Sequence, residues 1–599
     1  MTTLNKYESL RLFKQRAFKK NYPTKEFEDL SAQVMEHTGG LPLALKVLGS
    51  FLYGRGLDEW ISEVEHLKQI PENEILQKLE PSFTGLHNIE QKIFLDITCF
   101  FAEKKKDSVT RILEIFHFSP VIGIKVLMEK CLITILKGCV IKHQLIQEMG
   151  WHIVRREASY NPRICSRLWK REDICPGTNK IEGISLHLTN EEEVNFGGKA
   201  FMQMTSLRFL KFRNAYVCQG PEFLPDELRW LDWHGYPSKI LPYSFKGDQL
   251  LSFVEINFSI GDLGKLVLLN LKNCRNLKTL PKRIRLEKLE ILFLSVCSKL
   301  RTFPDVGEKM NCLAEMYLGA TALSELPASV ENLSGVGVIN LSYCKHLESL
   351  LSSIFRLKCL KTLNMSGCSK LKNLPDDLGL LVGLEELHCT HTAIQTIPSS
   401  MSLLKNLKHL SLRGCNALSS QVSSSSQGQK STGVKFQNLS GLCSLIMLDL
   451  SDCNISAGVI LSNLGSLLSL EGLILDGNRF SSIPSISRLC LLQVLALAGC
   501  RRLESLPELP PSIKEIYADE CTSLMSIDQL TKYPMLCGVS FTNCHQLIKH
   551  KQHASMVDSL LKQMHKGLFM KGESSIYVSG VEIPEWFILR LVMWLGLSN

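Results

Sequence analysis

The sequence predicts an α/β multidomain chain in which an all-α stretch precedes a solenoid with one parallel concave sheet. Three observations carry this. A phrase of the form L-x-x-L-x-L-x-x-C recurs between Leu266 and Cys544. Its first framework position falls at 266, 289, 313, 336, 360, 384, 407, 445, 470, 492, 513 and 536. Before it, from Tyr7 to about Leu52, the apolar residues follow a helical rather than an alternating period.

The common step of 21 to 25 residues is the period of a leucine-rich repeat, one short strand and a returning segment per unit. Within each phrase the alternating L-x-L sends its leucines to one side of a strand. A single unit cannot bury that face, so neighbouring units must stack and share a core. Leu280-Pro281, Leu326-Pro327, Leu374-Pro375, Ile397-Pro398, Ile483-Pro484 and Leu506-Pro507 mark the returning side, since proline fixes φ and gives no ladder donor. One interval, Leu407 to Leu445, is 38 residues long, and the Ser/Gln/Gly run 419–433 inside it reads as an exposed loop.

Composition sets the class. The chain has 599 residues, 45% hydrophobic and 21% charged, which suits folded domains rather than disorder. A formal charge of +9 over that length gives no reason to expect nucleic acid. Nine of the 21 cysteines (274, 297, 344, 368, 415, 453, 500, 521 and 544) share one repeat position, as a ladder of small apolar thiols able to bond the neighbouring loop backbone. No C-x-x-C occurs, so the simplest zinc and thioredoxin-type signals are missing. With no apolar core in the first eleven residues and no run long enough to span a bilayer, the expectation is a cytoplasmic protein, with the nucleus as a further location and no membrane span.

In chain order, Phe27, Leu30, Val34 and Met35 share one helical face that Gly39-Gly40 ends, and Pro42 opens the next helix. Helical stretches near 73–84, 88–98 and 107–115 precede a small hairpin at 131–141. The unit near Leu251 is degenerate. After Cys544 the period fails.

Several phrases resemble one family. Gly40-Leu41-Pro42-Leu43-Ala44 with Glu59-Trp60, then Phe94-Leu95-Asp96-Ile97-Thr98-Cys99-Phe100-Phe101, then Lys142-His143-Gln144-Leu145-Ile146-Gln147-Glu148-Met149-Gly150 resemble the NB-ARC and winged-helix segments of plant disease-resistance receptors of the Toll/interleukin-1 receptor type. Tyr577 to Phe587 resembles the opening strand of their post-repeat jelly-roll domain. The resemblance implies domains at 1–60 (end of NB-ARC), 61–160 (winged helix), 161–200 (linker), 201–545 (repeats) and 546–599 (incomplete post-repeat segment). It also implies that Pro42 and His143 are the family's ADP contacts. Lys142 and Gln144 replace the Met and Asp usual beside that histidine, and loss of the acid removes a charged acceptor. No G-x-x-x-x-G-K-[ST] phosphate loop occurs, so no resident cofactor is expected, although full-length relatives use ADP or ATP. The expectation is a chain shortened at both ends, without phosphoryl transfer and not an enzyme.

Ligand contact should fall on the strand residues flanking the buried leucines: Phe293, Tyr317, Asn340, Asn364, Glu386, His388, Ser411, Asp449, Ile474 and Tyr517. Protein partners suit a surface of that length, either a pathogen effector or a guarded host protein. The alternative is a scaffold or decoy that regulates full-length receptors. His388, Cys389 and His391 form no metal site, because alternation turns Cys389 into the core. No nucleophile elbow is visible.

Overall fold

The computed structural model describes residues 5–578 apart from 19–23, 70–78, 195–200, 245–262, 419–438, 563–574 and several shorter stretches. The degenerate unit near Leu251 and the 419–433 loop therefore lie outside the described residues, as does the post-repeat phrase beyond Val578. Two compact units emerge, Met1–Trp233 with Phe245–Gly247, and His234–Ser244 with Asp248–Asn599.

The first unit begins with four helices, α1 (Lys6–Ala17), α2 (Lys25–Thr38), α3 (Pro42–Leu52) and α4 (Leu57–Gln69). A reciprocal cap starts α1, where the Glu8 amide donates to Asn5 Oδ1 at 2.9 Å and the Asn5 amide to Glu8 Oε2 at 3.1 Å. Proline stands at the first position of α3, where no helical donor is lost. Phe13, Val34, Leu45, Leu48, Leu52, Trp60 and Val64 form their common core, and the Trp60 indole donates to the Leu52 carbonyl at 3.0 Å.

Next come α5 (Pro81–Thr84), α6 (Asn88–Phe100), α7 (Lys106–Glu114) and α8 (Pro120–Glu129), then strands β1 (Thr134–Leu136) and β2 (Cys139–Ile141), and α9 (Gln144–Glu157). The strands pair antiparallel around Lys137 and Gly138, both with positive φ, as a two-residue hairpin of right-twisted strands demands. Helix α8 was not anticipated, for its Pro-Val-Ile-Gly-Ile run shows little amphipathic period. It crosses α6 closely at Gly123, where an added Cβ would stand 2.5 Å from Ile93 Cδ1.

Within the stretch 161–200, expected to be a linker, the described residues include two strands. Strands β3 (Arg167–Leu168), β4 (Gly183–Val194), β5 (Phe209–Val217) and β6 (Trp230–Trp233) form a parallel sheet in that order. The sheet packs on α6: Phe100 stacks on Phe209 with ring centroids 5.1 Å apart, and Phe101 meets Trp230 at 5.2 Å. Beneath that contact lies a buried ion pair, Asp96 of α6 taking two hydrogen bonds from Arg167 of β3 at 2.9 and 2.6 Å.

The second unit is a solenoid of parallel strands: β7 (Leu268–Asn270), β8 (Ile291–Phe293), β9 (Glu315–Tyr317), β10 (Val338–Asn340), β11 (Thr362–Asn364), β12 (Glu386–His388), β13 (His409–Ser411), β14 (Met447–Asp449), β15 (Gly472–Ile474), β16 (Val494–Ala496), β17 (Glu515–Tyr517), β18 (Gly538–Phe541) and β19 (Ser575–Val578). The strand around Tyr577, outside the repeat period, does not stand alone. β19 pairs with β18, because a solenoid end leaves a row of unsatisfied backbone groups that an extended segment can meet.

The ladder is built from sulfur to carbonyl. Cys368 Sγ donates to the Leu341 carbonyl at 3.2 Å, Cys415 to Cys389 at 3.1 Å, Cys521 to Leu497 at 3.1 Å and Cys544 to Ala518 at 3.1 Å, each joining one repeat to the one before. Thr392 keeps the same place, bonding the Cys389 carbonyl at 2.9 Å and Cys415 Sγ at 3.1 Å. The residue before each rung has positive φ, whether Gly367, Gly414, Gly477 and Gly499 or Asn273, Val296, Tyr343 and His391. This left-handed step turns the chain out of its strand and into the returning segment.

Candidate recognition surface

The strand register lines up two rows of side chains on either side of the buried central residues. One row runs Phe293, Tyr317, Asn340, Asn364, His388, Ser411, Asp449, Ile474, Ala496, Tyr517, Ser540, Tyr577. The parallel row holds Glu315, Val338, Thr362, Glu386, His409 and Met447. At about 4.8 Å per strand the first row is on the order of 50 Å long.

Its aromatic end is preorganised. Phe293 and Tyr317 stack with centroids 4.6 Å apart and planes 10° from parallel, and the Tyr317 hydroxyl donates to Glu315 at 3.0 Å. Burial first, and then the Glu315 carboxylate, push the Tyr317 phenol up to about 12. The same Tyr–Glu pairing recurs at the other end, where the Tyr517 hydroxyl lies 2.9 Å from Glu515.

The polar centre divides by what the backbone asks of it. Asn340 Oδ1 accepts the Ser342 amide and Asn364 Oδ1 the Ser366 amide, each at 2.9 Å, closing the turn at the strand end. Asp449 does the same for Ser451, taking its amide at 3.0 Å and its hydroxyl at 2.6 Å, while Ser411 donates to the other carboxylate oxygen at 3.2 Å. These four side chains are held by the fold. Glu386 is held less, with Thr362 Oγ1 at 3.4 Å and His388 Nε2 at 3.5 Å as its contacts and 42% of its side chain open to solvent. Phe293, Tyr317, Glu386, His388, Ile474 and Tyr517 are thus the residues the turns do not spend.

Alternation does not single out Val338, Thr362, Met447, Ala496, Ser540 or Tyr577. Thr362 and Ala496 are unremarkable in sequence, and Tyr577 belongs to the face only through the β18–β19 pairing. Cys389 is buried beside half-buried His388, and no group of three or more metal-ligating side chains exists among the described residues.

In the first unit, half-buried Pro42 opens α3 and half-buried His143 caps α9, its Nδ1 accepting the Leu145 amide at 3.2 Å. That bond places the proton of neutral His143 on Nε2. Lys142, where the family has Met, donates to the Thr98 carbonyl at 2.8 Å, and Gln144, where it has Asp, donates to Glu148 at 2.9 Å. Gly150 lets α9 meet α6, since an added Cβ would lie 2.4 Å from Thr98 Oγ1. Pro42 has no N–H to offer, and the sequence holds no phosphate loop.

Comparison with known proteins falls on both units. A winged-helix model described as disease resistance protein Roq1-like matches residues 87–159, and a leucine-rich-repeat model described as disease resistance protein RPS4B-like matches 284–374. TMV resistance protein N of Nicotiana glutinosa is 32% identical over 98% of this chain and 56% of its own length. Disease resistance-like protein DSC1 of Arabidopsis thaliana is 32% identical over 98% of this chain and 55% of its own length. The chain thus spans about half the length of the curated relatives it matches. A leucine-rich-repeat protein of Leptospira interrogans superimposes with a TM-score of 0.42 at 17% identity, covering 70% of this chain and 90% of that one. No helix among the described residues is long and apolar enough to cross a membrane.

Proposed function

This chain belongs to the Toll-type NB-ARC leucine-rich-repeat disease-resistance family of plants, and from that premise we propose that its strand face recognises a protein, either a pathogen effector or a host protein that such an effector modifies. The observation that carries this is the unbroken register from Phe293 to Tyr577, which sets aromatic side chains at both ends of one row, with His388 between them and Glu386 beside it in the parallel row. Aromatic anchors beside a polar centre supply contact area and orientation to a protein interface of standard size, about 800 Å² per partner. A small substrate would need a deeper enclosure.

On this reading the chain is a receptor component and not a catalyst, its place of action is the cytoplasm or nucleus, and the helical unit provides autoinhibitory packing. The nucleotide switch is incomplete in the residues present, with Pro42 and His143 kept as a helix start and a helix cap. Co-precipitation of the purified chain with candidate effectors and their host targets tests the proposal. Glu386→Lys should weaken capture at least tenfold without changing the unfolding temperature. Unaltered capture would move the contact surface elsewhere.

A further inference from the structure

Where the rung residue is Thr321 instead of cysteine, the segment from the rung to the returning proline is six residues long, Thr321 to Pro327, against seven from Cys297 to Pro304 and from Cys368 to Pro375. Alignment on the buried leucines (Leu300, Leu323, Leu347) puts Ser324 where the flanking repeats carry Arg301 and Glu348, and leaves only Ala322 between rung and leucine. One short turn of small side chains between two longer turns leaves a recess. A cleft of about 990 Å³ is found there, at the upper end of the range for small-ligand sites.

Its walls are cationic. Lys278, Lys299, Arg301 and Lys370 line it, against one carboxylate, Glu348. That carboxylate is already engaged by Lys370 at 2.9 Å, and this bond, with neighbouring positive charge, holds Glu348 below the usual carboxylate range. Lys299 donates only to the neutral amide oxygen of Asn276, at 3.2 Å. The hydroxyl-bearing residues Thr279, Ser298, Thr302 and Ser324 also line the cleft. Lysine and arginine with hydroxyl donors around a recess open to water suit a multiply charged oxyanion, with arginine giving the paired donors and lysine the point charge.

We infer that this cleft on the returning side of the repeats binds a small soluble polyphosphate, a ligand separate from the protein partner of the strand face. The ligand would bridge the repeats on either side of the Thr321 turn and so brace them. The cleft does not depend on the strand-face reading, since Lys278, Arg301 and Ser324 belong to the turns and not to the strands.

Titration of the full chain with inorganic tripolyphosphate in about 150 mM salt, by calorimetry and by thermal unfolding, tests this. We expect saturable one-to-one binding and a raised unfolding temperature. Arg301→Glu should weaken binding at least tenfold, and Ser324→Trp, which fills the recess and leaves every charge in place, should do the same. Arg488→Glu, on an exposed residue of a distant repeat, should leave it unchanged, and circular dichroism of each variant separates lost binding from lost folding. Binding that is unsaturable, or that survives both Arg301→Glu and Ser324→Trp in folded protein, would overturn the proposal. So would an equal response to a poly-glutamate peptide, which would make the cleft a landing site for acidic protein.

Discussion

The Asp96–Arg167 pair makes a demanding prediction, because it joins α6 to β3 across 71 residues of chain and both side chains are nearly sealed from water, at 2% and 5% exposure. Both bonds from Arg167 to Asp96 end on Oδ1, and Arg167 Nη1 also donates to Ser166 Oγ at 3.1 Å, while Asp96 Oδ2 is buried with no hydrogen-bond partner among the described residues. Burial pushes the Asp96 carboxyl above its ordinary range and Arg167 pulls it back. Removing one partner leaves the other charge in the core, a loss of about 3–5 kcal/mol, whereas an apolar pair of similar volume is often neutral or better. Arg167→Met and Asp96→Leu should therefore each destabilise the first unit by about that amount. The double variant should come within about 1 kcal/mol of the parent, giving a coupling of several kcal/mol. Five of the seven tryptophans (60, 151, 169, 230 and 233) lie in this unit, so denaturant unfolding followed by tryptophan fluorescence weights it most, and Trp586→Phe with Trp594→Phe in the background removes the rest. Single variants costing under about 1 kcal/mol, or adding without coupling, would refute the reasoning.

Other predictions concern the ladder, the turns and the helical unit. Burial pushes the Cys368, Cys453 and Cys500 thiols up to about 12, so at pH 8 a thiol reagent should label exposed Cys312, Cys359, Cys443 and Cys490 and spare these three rungs, as mass spectrometry would show. Because those three folded values exceed the ordinary thiol range, the contribution of Cys368, Cys453 and Cys500 is complete below about pH 8.5 and is lost as pH rises toward 12, which unfolding midpoints across that window would record. Gly477→Val should cost at least about 2 kcal/mol, since φ is +67° and the new Cβ would lie 2.1 Å from Asp452 Oδ1; an unchanged melting curve would contradict the outward-turn account. Val296→Gly should stabilise by about 1 kcal/mol, the strain of a β-branched residue at φ 66° outweighing glycine's entropy. Purified chain titrated with ADP should show no saturable micromolar binding that His143→Ala abolishes.

The repeat frame was legible because buried leucines at fixed spacing leave a periodic trace, and the ladder because one residue type kept one position. The winged helix was legible from its family phrases. What stayed hidden depends on contacts between distant residues. Nothing around Asp96 announces Arg167, and the strands in 161–200 lack the repeat phrase, so they read as linker. Tyr577 joins the strand face only because β19 finds an open edge. Alternation could place Asn340, Asn364 and Glu386 on one face, but not tell that two of them close turns while the third stays available. That distinction lies in side-chain oxygens two residues from an amide. Positive φ was partly visible where glycine or asparagine stood before a rung, and invisible at Val296, Tyr343 and His391.

The central claim, that a protein partner reads the strand face, is tested most directly by titrating a captured partner against the chain carrying both Tyr317→Ala and Glu386→Lys. Loss of an aromatic anchor alone is worth about 2 kcal/mol or more, so affinity should fall at least 30-fold while the melting temperature holds. A dissociation constant that matches the parent's, in a variant that melts like the parent, would contradict it.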